Sequence, residues 1–205
     1  MATTLTLPAG EPPFPCVVFV HGLGSSKESP RNVVVAERLV DFGIATVLFD
    51  LSGHGESGTD PRGREDAYVK DLEAVFAWTA AQPEIDSEHL GVAGSSLGAV
   101  VALDAARQRL ISPRALVLRA PPVEREHLAD LAVPALVIIG TRDPLQLEVE
   151  QAAHMIDAVA ISSVEGAGHL FEEPGTLEIA VELTVEWFRA RLKDEGERVP
   201  EWRAG

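Results

Sequence analysis

The residue best suited to chemistry in this sequence is Ser96, at the centre of a Gly-x-Ser-x-Gly segment that runs from Gly94 to Gly98. Apolar residues 90–93 precede the segment, and residues 97–107 carry apolar side chains spaced for one helical face. This order predicts a buried strand that turns sharply into a helix, with the serine at the apex. The free amides at the start of such a helix favour negative charge, which suits a nucleophile. A simpler interpretation is a glycine turn whose serine only caps the helix.

A serine hydroxyl becomes a strong nucleophile when a neutral imidazole accepts its proton and a carboxylate orients that imidazole. Asp143 follows a predicted strand at residues 135–139, and His169 follows another at residues 158–164. The carboxyl ends of parallel strands lie along one edge of a sheet, where ligand sites form. We therefore expect Ser96, Asp143 and His169 to meet there, although they are distant in sequence.

Other residues compete for two of these roles. Glu124 follows the preceding predicted strand and is the alternative to Asp143, which itself could be a turn residue before a proline. The alternatives to His169 are weaker. His89 precedes a strand, at the opposite edge of the sheet, whereas His127 and His154 fall in helical segments.

Short apolar stretches alternate with amphipathic stretches along the chain, which indicates a mostly parallel sheet with helices on both faces. The predicted strands are residues 16–20, 44–49, 90–93, 115–118, 135–139 and 158–164, with a short edge strand at 5–7. The predicted helices are residues 32–42, 66–81, 97–107, 147–156 and 176–192. This α/β arrangement has six to seven strands.

Five stretches together resemble the α/β-hydrolase superfamily, in particular its small dienelactone-hydrolase-like and esterase-like members. They span nearly the whole chain and occur in the family's order of serine, acid and histidine. The stretches are His21-Gly22-Leu23-Gly24-Ser25, Asp50-Leu51-Ser52-Gly53-His54-Gly55-Glu56-Ser57, Gly94-Ser95-Ser96-Leu97-Gly98, Gly140-Thr141-Arg142-Asp143-Pro144 and Gly166-Ala167-Gly168-His169.

The resemblance implies a role for each reactive residue. Ser96 is the nucleophile, His169 the general base and then acid, and Asp143 the orienting acid. The backbone amides of Leu23 and Leu97 form the oxyanion hole. The remaining residues are expected to line the site or brace its loops: His21, Gly22, His54 and Ser95, together with Asp50 and Ser57. Neither a cofactor nor a metal is expected, because no short-spaced ligand pair is present.

Many α/β-hydrolases carry a helical lid between two strands, and this chain has little room for one. Only about a dozen residues separate the strand that ends near Arg119 from the strand that begins near Pro134. We therefore expect a minimal or absent lid and an open, shallow site for small substrates.

Composition bounds the compartment and the partners. The chain has 205 residues, 46% of them hydrophobic, which fits one domain over residues 1–193 followed by a polar tail at 194–205. Its net charge of -15 disfavours nucleic acids and anionic membranes. One cysteine excludes an intrachain disulfide, and no apolar run reaches the ~18 residues of a membrane span. A cytoplasmic location is the expectation, and the oligomeric state is left open.

The predicted function is hydrolysis of a small carboxylic ester or thioester through an acyl-enzyme on Ser96, with a small acyl substrate and water as partners. The same three side chains also serve acyl transfer and the hydrolysis of peptides, lactones or carbon–carbon bonds, and the fold does not choose among these. A catalytically silent member that binds a small ligand or a protein is the alternative from another class.

Overall fold

The computed structural model describes residues 1–58, 65–123, 125–128 and 131–193. In these residues seven strands alternate with six helices. The strands are β1 (Thr3–Thr6), β2 (Phe14–Val20), β3 (Ala45–Phe49), β4 (Ile85–Ser95), β5 (Ala115–Arg119), β6 (Ala135–Gly140) and β7 (Val159–Val164). The helices are α1 (Pro30–Asp41), α2 (Glu65–Ala80), α3 (Leu97–Arg107), α4 (Arg125–Leu128), α5 (Gln146–Ala153) and α6 (Thr176–Leu192).

One sheet contains all seven strands in the order β1-β3-β2-β4-β5-β6-β7. Every pair is parallel except the pair of β1 with β3, which is antiparallel at one edge. The chain passes from β2 outward to β3 and then returns to place β4 on the other side of β2. The strand order therefore reverses between β2 and β4, and ligand sites in open α/β sheets form outside such a switch point.

Helices cover both faces of the sheet. The core on one face packs against α2, α3 and α5, and it includes Leu72, Leu103 and Val149. The core on the other face packs against α1 and α6, and it includes Leu39 and Trp187. The central strands β2, β3, β5 and β6 are buried along nearly all of their length, which explains why their sequences are continuous apolar runs rather than alternating ones.

The sequence-based expectation of six to seven mostly parallel strands with helices on both faces is confirmed. The largest difference lies in β4, which begins at Ile85 rather than at residue 90. After the buried Ile85 come four polar residues, 86–89, and the pairing of β4 with β2 shifts register between Phe14 and Cys16, so no continuous apolar run reveals this extension.

The expected minimal lid is confirmed as well. Residues 120–134 connect β5 to β6, and in the described part of this segment the four-residue helix α4 is the regular structure present. The alternative acid Glu124 and the tail at 194–205 lie outside the described residues. That residues 1–193 form one domain stays a prediction.

Candidate active site

Ser96 occupies the turn between β4 and α3 in a strained backbone conformation. Its φ of 50° and ψ of −121° lie outside the regions that side-chain-bearing residues ordinarily adopt. Its amide donates to the Arg119 carbonyl (2.9 Å), which ties the turn to the end of β5. The turn and this hydrogen bond therefore place the serine at the carboxyl edge of the sheet, directly before the first turn of α3.

Two glycines give the turn its room. A Cβ at Gly94 would collide with the backbone of Gly98 and Ala99, and one at Gly98 would collide with the carbonyl oxygens of Val20 and His21. The strand, the helix and the end of β2 thus approach more closely than any side chain permits. This is the physical reason for the Gly-x-Ser-x-Gly spacing in this chain.

The structure brings Ser96, His169 and Asp143 together. His169 Nε2 lies 3.1 Å from Ser96 Oγ, and His169 Nδ1 lies 2.7 Å from Asp143 Oδ2. The three residues come from the ends of β4, β6 and β7, separated by up to 73 positions in sequence. Their meeting agrees with the expectation from the strand ends.

The Asp143 carboxylate fixes the protonation of the imidazole. The carboxylate is fully shielded from solvent, and its Oδ1 accepts the Leu145 amide (3.0 Å). A carboxylate only accepts hydrogen bonds, so the Nδ1 of His169 carries the proton and donates to Oδ2. The Nε2 lone pair then faces Ser96 Oγ and can accept the hydroxyl proton.

The two amides expected to form an oxyanion hole belong to Leu97, which follows Ser96 directly, and to Leu23, which lines the same cavity as Ser96. Leu97 begins α3, and Leu23 lies in the loop between β2 and α1. Neither amide donates a hydrogen bond to another residue that the structure describes. Gly22 packs directly beside the turn, since a Cβ there would lie 3.2 Å from the Ser95 carbonyl oxygen and 3.4 Å from the Ser96 Cβ. Two free donors are thus available near the serine.

His21 and His54 brace the loop that carries Leu23. His54 Nε2 accepts the Gly24 amide (3.3 Å), and His21 Nε2 accepts the Leu51 amide (3.1 Å). The two rings lie 5.1 Å apart. Burial lowers the pKa of His21, which keeps the imidazole neutral and able to accept. These contacts agree with bracing roles rather than with direct chemistry.

Asp50 and Ser57 hold the next loop in the same way. The buried Asp50 carboxylate accepts the Lys27 amide (2.6 Å) and the Glu56 amide (2.8 Å). Ser57 Oγ donates to the Asp50 carbonyl (2.8 Å) and accepts the Ala2 amide (2.9 Å). The loops after β2 and β3 are therefore connected through one carboxylate.

A cavity of about 220 Å³ opens beside Ser96 and His169. Ser95 and Gly22 form part of its lining, as expected of residues at the rim of the site. At its mouth, the Leu23 side chain is 74% exposed and Leu170 is 46% exposed. The site is open to solvent and carries an apolar rim.

Arg119, which is not among the site residues predicted from the sequence, also lines this cavity. Its Nη2 donates to Asn32 Oδ1 in α1 (2.6 Å). Burial is the main cause that lowers the pKa of the guanidinium to about 10, and the nearby charge of Arg31 adds to the effect. The available signal was a charged residue at the carboxyl end of an apolar strand.

The alternative histidines lie elsewhere. His89 lies in β4 and contacts Asp86 (2.8 Å), His154 follows the last residue of α5, and His127 lies in α4. In the described ranges no group of three or more His, Cys, Asp or Glu residues is arranged to hold a metal ion. Over the same ranges, none of the helices is both long and apolar enough to cross a bilayer.

Comparison with known proteins assigns the chain to a family. The model of the family described as serine aminopeptidase, S33, matches residues 11–129, more than half of the chain and the part that contains Ser96. The chain belongs to this family of α/β-hydrolases. The match ends before Asp143 and His169, so the positions of these two residues rest on the structure.

Solved structures resemble this S33-family chain along almost its whole length. Dienelactone hydrolase from Anabaena variabilis is 34% identical with a TM-score of 0.81, covering 93% of this chain and 92% of that one. A serine hydrolase without lid from Xanthomonas campestris is 25% identical with a TM-score of 0.76, covering 92% and 87%. The second similarity agrees with the short connection between β5 and β6.

A longer relative carries a different name. A Mycobacterium tuberculosis protein named phosphoribosyl transferase is 41% identical over 207 residues, which cover 96% of this chain and 45% of that protein. The S33-family chain thus spans about half the length of this curated relative.

Proposed function

We propose that this S33-family chain is a serine hydrolase that cleaves a small carboxylic ester or thioester through an acyl-enzyme on Ser96. The observation that supports this proposal is a chain of two hydrogen bonds. His169 Nδ1 lies 2.7 Å from Asp143 Oδ2, and His169 Nε2 lies 3.1 Å from Ser96 Oγ. Such an arrangement removes the hydroxyl proton as the oxygen attacks a carbonyl carbon. The small open cavity suits a small substrate.

The mechanism uses each group in turn. Ser96 Oγ bonds to the carbonyl carbon while His169 Nε2 takes its proton, and the amides of Leu23 and Leu97 stabilise the negative oxygen. The carbon–oxygen or carbon–sulfur bond of the substrate then breaks, and His169 returns the proton to the leaving alcohol or thiol. Water attacks the acyl-enzyme by the same route, releasing the acid and restoring Ser96.

Two names among the relatives suggest other reactions. Lactone hydrolysis is the closest variant, since a dienelactone hydrolase is 34% identical, and peptide hydrolysis is the variant that the family description suggests. Acyl transfer and carbon–carbon cleavage use the same groups. We do not propose phosphoribosyl transfer for this chain, because the relative with that name is about twice as long. The hydrogen-bonded residues Asp143, His169 and Ser96 suit acyl chemistry instead.

The proposal includes a cellular setting. We place the protein in the cytoplasm, acting on a small molecule with water as the second reactant and without a cofactor. A cytoplasmic location is checked by fractionation of cells that express the chain at its natural level.

The test combines labelling with turnover. The protein should hydrolyse 4-nitrophenyl acetate, and a fluorophosphonate should label Ser96, located by peptide mass spectrometry. Ser96→Ala should lose the label and about 10⁴-fold or more of kcat. Ser87→Ala, an exposed serine on β4, is the matched control and should retain both. A folded wild-type sample that shows neither labelling nor turnover would overturn the assignment and favour a silent ligand-binding role.

A further inference from the structure

The cavity beside Ser96 is lined by a buried arginine, Arg119, that has no negative partner among the described residues. Arg119 is 8% exposed, and its hydrogen-bond partner is the neutral Asn32 side chain. Among the described residues no carboxylate lies within 4.0 Å of its guanidinium nitrogens. Buried charges are ordinarily paired, because removing them from water is costly. Within the part of the chain that the structure describes, no carboxylate compensates this guanidinium, although the net charge of the chain is -15.

A second arginine lies in the same cavity. Arg31 belongs to the first turn of α1, and its side chain is half-buried beside Ser29, which precedes that helix. Its guanidinium contacts the largely exposed Glu172 at 3.6 Å, a pair that solvent screens strongly. The charge of Arg31 is close enough to lower the pKa of Arg119. Two like charges thus converge on one small cavity.

We propose that this cavity binds an anionic group of the substrate, a carboxylate or a phosphate, on the Arg119 guanidinium, with Arg31 as a second cation. The inference rests on the proposed function, because it names the substrate class of the same site. A guanidinium offers parallel N–H donors that match two oxygens of such a group. The cavity also contains Ser96 and His169, so the anionic group lies within the same small molecule as the bond that breaks.

Matched ester pairs test this inference. The monoanion of ethyl hydrogen succinate is compared with ethyl levulinate, a neutral ester of similar shape, to place the charge on the acyl side. Acetoxyacetate is compared with acetoxyacetone to place the charge on the alcohol side. Acid release is followed at constant pH. In at least one pair the wild type should show a higher kcat/KM for the anionic ester than for its neutral partner.

Arginine variants then identify the residues responsible. Arg119→Gln should lower the ratio of anionic to neutral kcat/KM about tenfold or more, because it removes a charge-assisted hydrogen bond. Arg31→Gln should lower the same ratio about two- to fivefold, because solvent screens the charge of this residue. It should disturb folding less than Arg119→Gln, because the Arg31 side chain reaches solvent. Arg38→Gln is the matched control on α1, where Arg38 contacts Asp41 and Glu182 rather than the cavity, and it should keep the ratio.

Binding without turnover provides a separate readout. Succinate and inorganic phosphate, each added to Ser96→Ala, should raise its melting temperature by about 2 °C or more when well above their dissociation constants. The anion that gives the larger shift is the preferred ligand, and Arg31→Gln added to this variant should reduce that shift at the same anion concentration.

The outcomes separate the two proposals. If neutral esters are hydrolysed and Ser96 is labelled, but both pairs show no anionic preference and the arginine variants leave the ratios unchanged, the anion site is overturned and the hydrolase assignment stands. If no ester is hydrolysed and Ser96 is not labelled, the hydrolase assignment fails. The melting shifts then decide whether the anion site survives as a binding site.

Discussion

At the scale of single residues, the Asp143 carboxylate determines which nitrogen of His169 can take a proton. Its Oδ2 accepts from Nδ1, which leaves the Nε2 lone pair for Ser96 Oγ. The carboxylate is fully buried and accepts a second hydrogen bond from the Leu145 amide, so its position is fixed. In the proposed mechanism this orientation lets the imidazole accept the Ser96 proton.

Replacing this carboxylate by an amide should reverse the tautomer. In Asp143→Asn the amide can donate to Nδ1, which places the imidazole proton on Nε2 and removes the acceptor for the Ser96 hydroxyl. We expect kcat to fall about 10⁴-fold with little change in folding, measured with 4-nitrophenyl acetate and thermal unfolding. Asp157→Asn, on an exposed turn, should keep full activity. Loss of activity in Glu124→Gln with retention in Asp143→Asn would instead identify Glu124 as the acid.

His21 should make the stability of the protein depend on pH. Burial lowers its pKa from the ordinary value of 6.5 in the folded state, so on acidification the unfolded chain binds the proton first. The free energy of unfolding should therefore fall as the pH drops below about 6.5, and continue to fall until the folded-state pKa is passed. Urea unfolding between pH 8 and pH 5 measures this slope.

A matched pair of variants isolates that slope. His21→Gln keeps an acceptor for the Leu51 amide but does not titrate, so its stability should decline less steeply than that of the wild type. His154→Gln, whose imidazole is exposed and contacts the Glu150 carbonyl, should keep the wild-type slope. Equal slopes in the wild type and His21→Gln would contradict the assignment.

At the scale of elements, the loop between β2 and α1 holds the Leu23 amide, the proposed oxyanion donor, through contacts made by neighbouring residues. Gly24 is held by His54, and Lys27 is held by Asp50, while the Leu23 amide between β2 and these contacts stays free. The Leu23 side chain itself is 74% exposed and packs little. We therefore expect the backbone N–H of Leu23, rather than its side chain, to carry the proposed role.

Two substitutions at one position separate the amide from the side chain. Leu23→Pro removes the N–H and should lower kcat by about 10²–10³-fold, whereas Leu23→Ala keeps the N–H and should stay near wild type. Rates with 4-nitrophenyl acetate and the melting temperature of each variant provide the comparison. Equal losses in both variants would show that Leu23 contributes packing instead of a donor.

The sequence predicts which residues lie at the site better than it predicts where the strands begin and end. Ser96, Asp143 and His169 follow apolar strands, and the rule that parallel strands end at one edge is enough to bring them together. Arg119 is not predicted as a site residue because the orientation of its side chain depends on a contact with Asn32 in α1, 87 positions away in sequence. The start of β4 was missed because its polar residues carry no apolar period.

At the scale of the whole molecule, the short connection between β5 and β6 leaves the site open to solvent among the described residues. In the described residues this connection contributes a single helical turn, α4, and the cavity of about 220 Å³ is smaller than the 300–1,000 Å³ typical of drug-sized ligands. The polarity of this open cavity changes from the apolar residues Leu23 and Leu170 to the buried Arg119.

If the chain is the proposed hydrolase, this openness should set its preference for acyl-chain length. With 4-nitrophenyl esters, kcat/KM should be highest for two to four acyl carbons and fall for longer chains, because further methylenes extend beyond the cavity and bury little surface. Their gain is then well below the ~0.8 kcal/mol of a fully buried methylene. Rates should also rise smoothly with substrate concentration through the point where micelles form, since no lid has to open at an interface. A sharp increase at that point, or a preference for chains of eight or more carbons, would mean that part of the chain covers the site during turnover.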